Sequence, residues 1–291
     1  MQLVGYYFAL PFLYLISLLP SPLFYLLSDG LYFLVYHVIG YRKKVVYTNL
    51  KNAFPEKSEA EIESITKEFY HYLLDITLET FKTLTFSKNR ALKHAYMSDL
   101  ALALFEKYRL QNQNVIIVMG HYGNWEWSGN AFSLMCKQKL FVIYHPLTNP
   151  YFDRLVMKMR KRFGTGLIAM NDTFREMIRN RNEVNATAFI ADQTPSSGEN
   201  AYWTTFLNQE TPVFWGTELI AKKMNVPVVY VCINRKKRGV YEVNAETLIE
   251  NPKDSKEGEI SELHTRRLEK DIVKNPAYWL WSHRRWKHNR K

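Results

Sequence analysis

The first forty residues constrain this chain most, because they are almost entirely apolar. One apolar run covers residues 3–19, and Ser17 is its only strongly polar residue. A second run, residues 23–39, follows Pro20-Ser21-Pro22 and is interrupted by Ser28-Asp29-Gly30. A membrane-spanning helix needs about 20 apolar residues, so the first run is slightly short, while the second carries polar side chains. We expect one membrane-spanning helix and one helix in the membrane interface.

A basic cluster, Tyr41-Arg42-Lys43-Lys44, follows the apolar runs directly. Basic residues beside a membrane segment stay on the cytoplasmic side, so we expect the rest of the chain there. The net charge of +11 also predicts an anionic partner, which could be a membrane leaflet, an acidic carrier protein, a phosphorylated substrate or nucleic acid. A basic n-region and a small-residue cleavage site are missing, which argues against a cleaved signal peptide. We divide the chain into a membrane anchor, residues 1–40, and one domain, residues 41–291.

Composition indicates a single folded core. Hydrophobic residues make up 47% of the chain and aromatic residues 15%, which excludes a disordered or collagen-like protein. The two cysteines, Cys136 and Cys232, lack a C-x-x-C partner. We therefore expect two reduced, buried thiols rather than a disulfide framework or a zinc-cysteine site, and we expect no cofactor.

Apolar periodicity predicts an α/β fold. Ser58 and Glu61 form a capping-box pattern at the start of a long helix. Short buried strands are predicted at residues 115–119, 141–144, 187–191 and 226–233. Amphipathic helices are predicted at residues 151–163, 173–179 and 217–224. This alternation indicates a central, mostly parallel sheet flanked by helices, with the membrane-anchoring helix at the N-terminus.

His121 is the residue best placed for chemistry. It directly follows the strand at residues 115–119, and Glu126 lies five residues later. Positions five apart on a helix are about 140° apart around its axis, so a turn must separate the two side chains if they meet. Gly123 and Asn124 suit such a turn, which puts Glu126 in the first turn of the next helix. Asp192 also follows a predicted strand and approaches the same sheet edge.

A histidine and a carboxylate at a sheet edge can form an acid/base pair. Neutral imidazole accepts a proton from a hydroxyl, and a carboxylate on its other nitrogen fixes the tautomer. Either Glu126 or Asp192 is the partner of His121, and the other acid then anchors an arginine.

The segment from Gly120 to Glu126 resembles the H-x₄-D/E motif of the lysophospholipid-acyltransferase superfamily, and it is most similar to the late acyltransferases of bacterial lipid A biosynthesis. Three further blocks carry the resemblance, namely residues 144–150, Ala191-Asp192-Gln193 and residues 281–287. The similarity extends over nearly the whole chain. It favours Glu126 as the motif acid.

The resemblance implies a function. His121 would be the general base that moves a fatty acyl chain from a thioester, usually on acyl carrier protein, to a hydroxyl of a phosphorylated glycolipid, a lipid A precursor. The location would be the cytoplasmic face of the bacterial inner membrane. Asn124 and Gln193 lie in the matching blocks, and we expect both to contact substrate. Many relatives carry arginine at the position of His145, so this histidine is expected to be a polar substrate contact instead.

Basic residues elsewhere suit a phosphorylated lipid. The helix at residues 151–163 is basic, and its Arg154 and Arg160 are predicted to orient phosphate. At the C-terminus, aromatic rings alternate with basic residues, which predicts contact with an anionic membrane. We expect Arg284 or Arg285 to reach the phosphate of the acceptor.

Other functions explain less of the sequence. The same chemistry on another glycolipid or an aminolipid remains an alternative. A metal-dependent hydrolase would use His121, Glu126, His145 and Asp192 as ligands, but the H-E-x-x-H spacing is missing and we expect no metal. A non-enzymatic membrane or nucleic-acid binding module gives no role to the His121 turn, and no nucleic-acid motif is visible. No cysteine or serine lies in a nucleophile elbow, so no covalent acyl-enzyme is expected.

Overall fold

The computed structural model of the protein describes residues 2–195, 201–288 and 290. Its α-helices are α1 Gln2–Leu18, α2 Ser21–Tyr32, α3 Lys43–Ala53, α4 Glu59–Lys82, α5 Lys88–His94, α6 Asp99–Leu110, α7 Trp125–Met135, α8 Pro150–Lys161, α9 Thr173–Arg179, α10 Gly216–Met224 and α11 Glu259–Lys274. A π-helical segment, Phe33–Ile39, continues α2. Short 3₁₀ turns occur at Met170–Asp172, Pro252–Asp254 and Pro276–Tyr278.

The strands form one large sheet and one hairpin. They are β1 Ala95–Met97, β2 Val115–Met119, β3 Lys139–Tyr144, β4 Gly166–Ala169, β5 Asn185–Ile190, β6 Ala201–Phe206, β7 Gln209–Phe214, β8 Val228–Lys237 and β9 Val240–Ile249. The large sheet has the order β1-β9-β8-β2-β5-β3-β4 and is parallel except between β8 and β9. The antiparallel hairpin β6-β7 is separate. The predicted mostly parallel α/β fold is confirmed.

The sheet has an apolar core on each face. Every residue of β2 is buried, and its alternate side chains point to opposite faces. Ile116 and Val118 pack on the side of α3, α4 and α11, whereas Val115 and Ile117 pack on the side of α6 and α7. Because helices cover both faces of the sheet, the central strands have nearly continuous apolar sequences.

The long helix α4 begins at the predicted capping box. The Ser58 hydroxyl accepts a hydrogen bond from the Glu61 backbone amide, and the Glu61 carboxylate accepts one from the Ser58 amide. Ile62, Phe69 and Ile76 from this helix are buried in the core. On its other side α4 contacts α1 and α2, so it connects the N-terminal helices to the domain.

The apolar N-terminus forms two helical segments. Ser21–Ile39 is long and apolar enough to cross a membrane, while the apolar part of α1 is shorter. Composition and length alone support this candidate.

Two of the three C-terminal tryptophans, Trp279 and Trp281, are buried, so the expected membrane contact through their rings is wrong. Trp279 and Trp281 are 2% and 0% exposed. Their rings pack edge-to-face with centroids 4.7 Å apart, and Trp286 lies beside Trp279. Asn49 donates to the carbonyl of Trp281, which fixes this segment against α3. The rings of Trp279 and Trp281 therefore complete the core, whereas the basic side chains of Arg284, Lys287 and Arg290 are exposed.

Both cysteines are free, as expected. Cys232 is buried, but Cys136 is partly exposed, so the expectation of burial holds for one of them. Burial raises the pKa of each thiol to about 12. Neither sulfur is activated as a nucleophile.

Candidate active site

Two neighbouring parallel strands bring His121 and Asp192 together. Met119 at the end of β2 is in register with Ile190 at the end of β5. His121 and Asp192 each come two residues later, so they leave the same sheet edge side by side. His121 Nδ1 lies 2.7 Å from Asp192 Oδ1. The histidine and the acid are therefore paired by sheet topology, across 71 residues of sequence.

Asp192 is buried and held by three donors. Besides His121 Nδ1, its carboxylate accepts from the His121 backbone amide at 2.8 Å and from Trp279 Nε1 at 2.7 Å. Burial alone would raise the pKa of Asp192, but the positive charge that His121 can carry and these hydrogen bonds outweigh it and lower the pKa to about 2. Asp192 is an ionised, fixed acceptor at neutral pH.

The orientation of the imidazole follows from this pairing. Because Nδ1 donates to a carboxylate, the lone pair of neutral His121 is on Nε2. The Gln193 side-chain amide nitrogen lies 3.4 Å from Nε2. The Trp125 ring meets the imidazole edge-on, with centroids 4.9 Å apart. His121 also lines the large cavity described below, so its basic nitrogen is available to a bound molecule.

A tight turn after His121 begins α7, as predicted. Gly123 has a φ of +63°, and a Cβ there would lie 2.7 Å from Ile233 atoms, so a side chain would be both strained and obstructed. The Gly123 amide donates to the carbonyl of Tyr278, and the Tyr72 hydroxyl donates to the carbonyl of Gly123. The turn is fixed from two sides of the domain.

Asn124 serves this turn rather than the cavity. Its side-chain oxygen caps α7 by accepting from the Trp127 amide at 2.9 Å, and its amide donates to Glu79 at 2.7 Å. Asn124 is buried and does not line the cavity. The expected substrate contact therefore has no support in its position.

Glu126 lies in the first turn of α7, where the turn argument placed it, but its partner is an arginine. Arg160 Nε donates to Glu126 Oε2 at 3.0 Å, and a second guanidinium nitrogen donates to Oε1. Two parallel hydrogen bonds fix both groups against the cavity wall. Of the two arrangements left open by the sequence, the structure has Asp192 on His121 and Glu126 on the arginine.

A cavity of about 520 Å³ begins beside His121. Its polar wall contains His121, Glu126, His145, Asp153, Arg160 and Gln193. Exposed lining residues, His145 and Leu147 among them, mark the mouth. The opposite end is buried and apolar, with side chains from β1, β2, β8 and β9, namely Met97, Ile117, Val231 and Val243. The volume and lining suit an apolar chain with one polar end.

Three other predicted arginines lie away from this cavity. Arg154 is exposed and donates to the Pro150 carbonyl of its own helix. Arg284 is exposed, and its carbonyl accepts from Thr194. Arg285 is 2% exposed and donates to the Pro212 carbonyl at 2.7 Å. None of them lines the cavity, so the expected phosphate contact is supported by position for Arg160 alone.

Among the described residues, no group of three or more histidine, cysteine, aspartate or glutamate side chains could hold a metal ion. The four side chains considered as ligands are instead distributed between the pairs His121–Asp192 and Glu126–Arg160 and the exposed His145.

A family model described as bacterial lipid A biosynthesis acyltransferase matches residues 1–288. The chain belongs to this family.

Two curated Escherichia coli (strain K12) relatives are similar over almost their whole length. A lipid A biosynthesis palmitoleoyltransferase is 22% identical over 285 residues, which is 97% of this chain and 90% of the relative. A lipid A biosynthesis lauroyltransferase is 22% identical over 277 residues, covering 94% and 89%. A myristoyltransferase from the same organism is 27% identical over 161 residues, about half of this chain. The protein is thus an acyltransferase, and its family acts in lipid A biosynthesis.

The sequence did not identify several residues that shape this acyltransferase site. Trp279 donates a hydrogen bond to Asp192, and Tyr72 donates one to the Gly123 carbonyl in the turn. The carboxylate of Glu79 accepts hydrogen bonds from Tyr25, Asn124 and Tyr241. Burial raises the pKa of Glu79. Only the apolar spacing of α4 gave a signal for Tyr72. Trp279 and Glu79 are distant in sequence from the residues they support, and no local pattern indicates such pairings.

Proposed function

We propose that this acyltransferase moves a fatty acyl group from acyl carrier protein to a hydroxyl of a lipid A precursor, with His121 as general base. The observation that carries the proposal is the His121–Asp192 pair beside a deep apolar cavity. Family membership supports acyl transfer in lipid A biosynthesis.

In the proposed reaction His121 Nε2 takes the proton from the acceptor hydroxyl. The hydroxyl oxygen then attacks the thioester carbonyl carbon and forms a tetrahedral intermediate. As the carbon–sulfur bond breaks, the sulfur leaves as a thiol with the proton that His121 received. Asp192 stabilises the transient imidazolium and keeps Nδ1 protonated. A base positioned in this way contributes roughly 10²- to 10⁴-fold to the rate.

The cavity suggests where each substrate binds. The fatty acyl chain would lie among the apolar side chains at the buried end, which leaves its thioester carbonyl near His121. Arg160 would contact a phosphate of the acceptor, because Glu126 fixes its guanidinium at the polar wall while leaving further donors free. His145 at the mouth and Gln193 beside Nε2 would contact the acceptor as well.

The proposed location is the cytoplasmic face of the inner membrane. Support comes from the apolar N-terminal helices and from the exposed basic residues Arg42 and Lys44 directly after them. Anionic lipid would attract these side chains.

Acyl transfer from purified acyl carrier protein to a lipid A precursor tests the proposal. We expect product with the wild-type enzyme and loss of roughly 10³-fold or more in kcat with His121→Ala, because the base is removed. His71→Ala is a matched control, since the His71 side chain is about half exposed and does not line the cavity. Product with another glycolipid or an aminolipid, and none with the lipid A precursor, would reassign the acceptor. Full activity of His121→Ala would overturn the proposed base.

A further inference from the structure

The N-terminal helices are attached to the domain along their whole length. On α1 the less exposed positions recur at helical spacing and form one stripe, namely Tyr6, Leu10, Leu13, Tyr14 and Ser17. This stripe packs against a cluster formed by Leu84, Leu155 and Met159. At the end of α1, Lys82 and Thr85 donate to the carbonyls of Leu19 and Ser17. The contacts extend from Tyr6, in the second turn of α1, to its last turn.

The second segment is attached in the same way. Phe24, Ser28 and Tyr36 are buried, at 0%, 1% and 5% exposure, and lie on one face. Ser28 donates to Asp75 of α4 at 2.7 Å. Arg238, in the turn between β8 and β9, donates to both Asp75 and Asp29. The middle of this segment is therefore bound to charged groups of the domain.

If Ser21–Ile39 spanned the bilayer, the domain residues that contact it would also have to lie in the bilayer. If Ser21–Ile39 crossed the hydrocarbon, then Asp29, Asp75 and Arg238 would lie near its centre. Burying charges at that depth is expensive. Moving α1 across would in turn carry α8, whose Arg154 and Lys158 are exposed, into the membrane.

The opposite faces of both segments are apolar and uncovered. The exposed apolar side chains are Leu3, Val4, Tyr7, Phe8, Phe12, Leu15, Leu18, Leu23, Leu26, Phe33, Leu34, Val38 and Ile39. Exposed Arg42 and Lys44 border this surface. An apolar face with a basic rim is complementary to one leaflet that contains anionic lipid.

We propose that both N-terminal segments lie in the cytoplasmic leaflet and that neither crosses the membrane. This inference rests on the proposed membrane attachment and replaces the expectation of one spanning helix. It also brings lipid close to the site, because α8 packs on α1 through Leu155 and Met159 and lines the cavity through Met157 and Arg160.

Thiol labelling of the link between the two segments tests the topology. Ser21→Cys is treated with a membrane-impermeant maleimide in sealed inside-out and right-side-out inner-membrane vesicles. Lys270→Cys, exposed on α11, reports the side of the domain, and the wild-type protein gives the background from Cys136 and Cys232.

We expect Ser21→Cys and Lys270→Cys to react in the same vesicles, at least about ten-fold more in inside-out vesicles, because an interfacial link remains at headgroup depth. Reaction of Ser21→Cys from the opposite side, or in neither orientation, would overturn the inference. Acyl transfer is measured on the same vesicles. One-sided labelling without acyl transfer would reject the proposed reaction and retain the topology.

Arg285 is buried near Asp192, and this is independent of the N-terminal helices. Behind Asp192, on the side away from the large cavity, is a small space with about 10 Å³ of water-accessible volume. Asp192, His264 and Arg285 line it. Within the described part of the chain, Arg285 Nε and Nη1 and His264 Nε2 are buried without hydrogen-bond partners. Buried polar atoms around a space of this size are typical of an ordered water site.

We infer that one water molecule binds between Arg285 and His264 and that Arg285 is a positioning residue for Asp192. The water would accept from Arg285 and donate to His264 Nε2. Burial lowers the pKa of His264 to about 4, so its ring is neutral and can accept. The charged or titratable groups facing Asp192 are His121, His264, His283 and Arg285. Arg285 is the permanent cation among them, and its charge favours the ionised form of the Asp192 carboxylate.

Arg285→Met tests this role. We expect kcat to fall roughly 10- to 100-fold with the KM of both substrates little changed, as for other residues that orient a catalytic partner. The acid limb of the pH profile of kcat should move to higher pH, because loss of the cation favours the protonated form of Asp192. Lys270→Met is the matched control, since Lys270 is exposed on α11.

A raised KM for the phosphorylated acceptor with unchanged kcat would make Arg285 a substrate contact and overturn the inference, as would an unmoved acid limb. If Arg285→Met does not fold, Arg285→Lys provides the test. It keeps the charge, so the acid limb should stay while kcat falls. A high-resolution crystal structure should contain a water within hydrogen-bonding distance of Arg285 and His264. Apolar packing at that position would contradict the water site.

Discussion

Glu126 lines the large cavity, whereas Asp192 lies behind His121, and the two carboxylates have different hydrogen-bond partners. The Asp192 side chain is 3% exposed and has three donors, among them His121. The Glu126 side chain is 17% exposed and pairs with Arg160. Glu126 is five residues from the histidine, and Asp192 is 71 residues away. Register between parallel strands, not proximity in sequence, selects the acid that contacts the base.

The largest difference between the two acids should be in turnover. Asp192→Asn is expected to lower kcat by roughly 10³- to 10⁴-fold with little change in KM, because an amide no longer favours the tautomer with a basic Nε2. Steady-state acyl transfer with both substrates saturating measures this. A loss of less than about ten-fold would remove Asp192 from the proposed relay.

Glu126→Gln should reduce activity less than Asp192→Asn, and it should act mainly on KM rather than on kcat. We expect kcat/KM to fall roughly 10- to 100-fold, mainly through a higher KM for the acceptor, because Arg160 loses the carboxylate that orients it. Glu210→Gln on β7 is the matched control, since Glu210 is exposed. A fall in kcat as large as that of Asp192→Asn, with KM unchanged, would show that the two acids are not distinct.

Substitution of Gly120 tests how tightly the side chains of Leu268 and Asp192 pack against the backbone before His121. A Cβ at this position would lie 2.7 Å from both terminal carbons of Leu268 and 3.3 Å from Asp192 Oδ2. We expect Gly120→Ala to lower the free energy of unfolding by about 1–3 kcal/mol, because overpacking displaces neighbours. Denaturant titration measures the loss. Leu268→Ala should lower the free energy of unfolding less in the Gly120→Ala background than in the wild type. If the two losses simply add, the contact between these positions is excluded.

The smallest expected effect is a pH dependence of stability. The pKa of Asp192 is about 2 in the folded protein, below its ordinary value, so the ionised form stabilises the fold. This contribution, at most about 2 kcal/mol, is present above about pH 4 and is lost as pH falls towards 2. Denaturation midpoints of wild type and Asp192→Asn over this range should converge at low pH. A constant difference would contradict the assigned ionisation.

Much of the fold could be predicted from sequence. Residues 115–119 and 173–179 were predicted with the bounds that β2 and α9 have. Buried parallel strands give continuous apolar runs, and amphipathic helices give clear periodicity. The edge strands β1 and β4, of three and four residues, and the polar hairpin β6-β7 give no comparable signal.

The site was predictable only in part. The glycine turn indicated that His121 and Glu126 do not share a helix face, and two strand ends brought Asp192 into consideration. Sequence could not choose between the acids because the choice depends on which strands are neighbours. The C-terminal alternation of aromatic and basic residues predicts a membrane contact, but the same pattern occurs when rings such as that of Trp279 face the core. Arg285 was assigned to phosphate for a similar reason, since charge does not reveal burial.

The central claim is that Asp192 acts through His121 and Glu126 acts through Arg160. Measuring kcat/KM for acyl transfer in the His121→Ala background tests it most directly, because residues that act as a unit are not additive. Adding Asp192→Asn to His121→Ala should change the residual rate less than about two-fold, whereas adding Glu126→Gln should lower it by roughly the factor seen in the wild type. If Glu126→Gln has no effect in that background and Asp192→Asn lowers the residual rate further, Glu126 is the partner of the base.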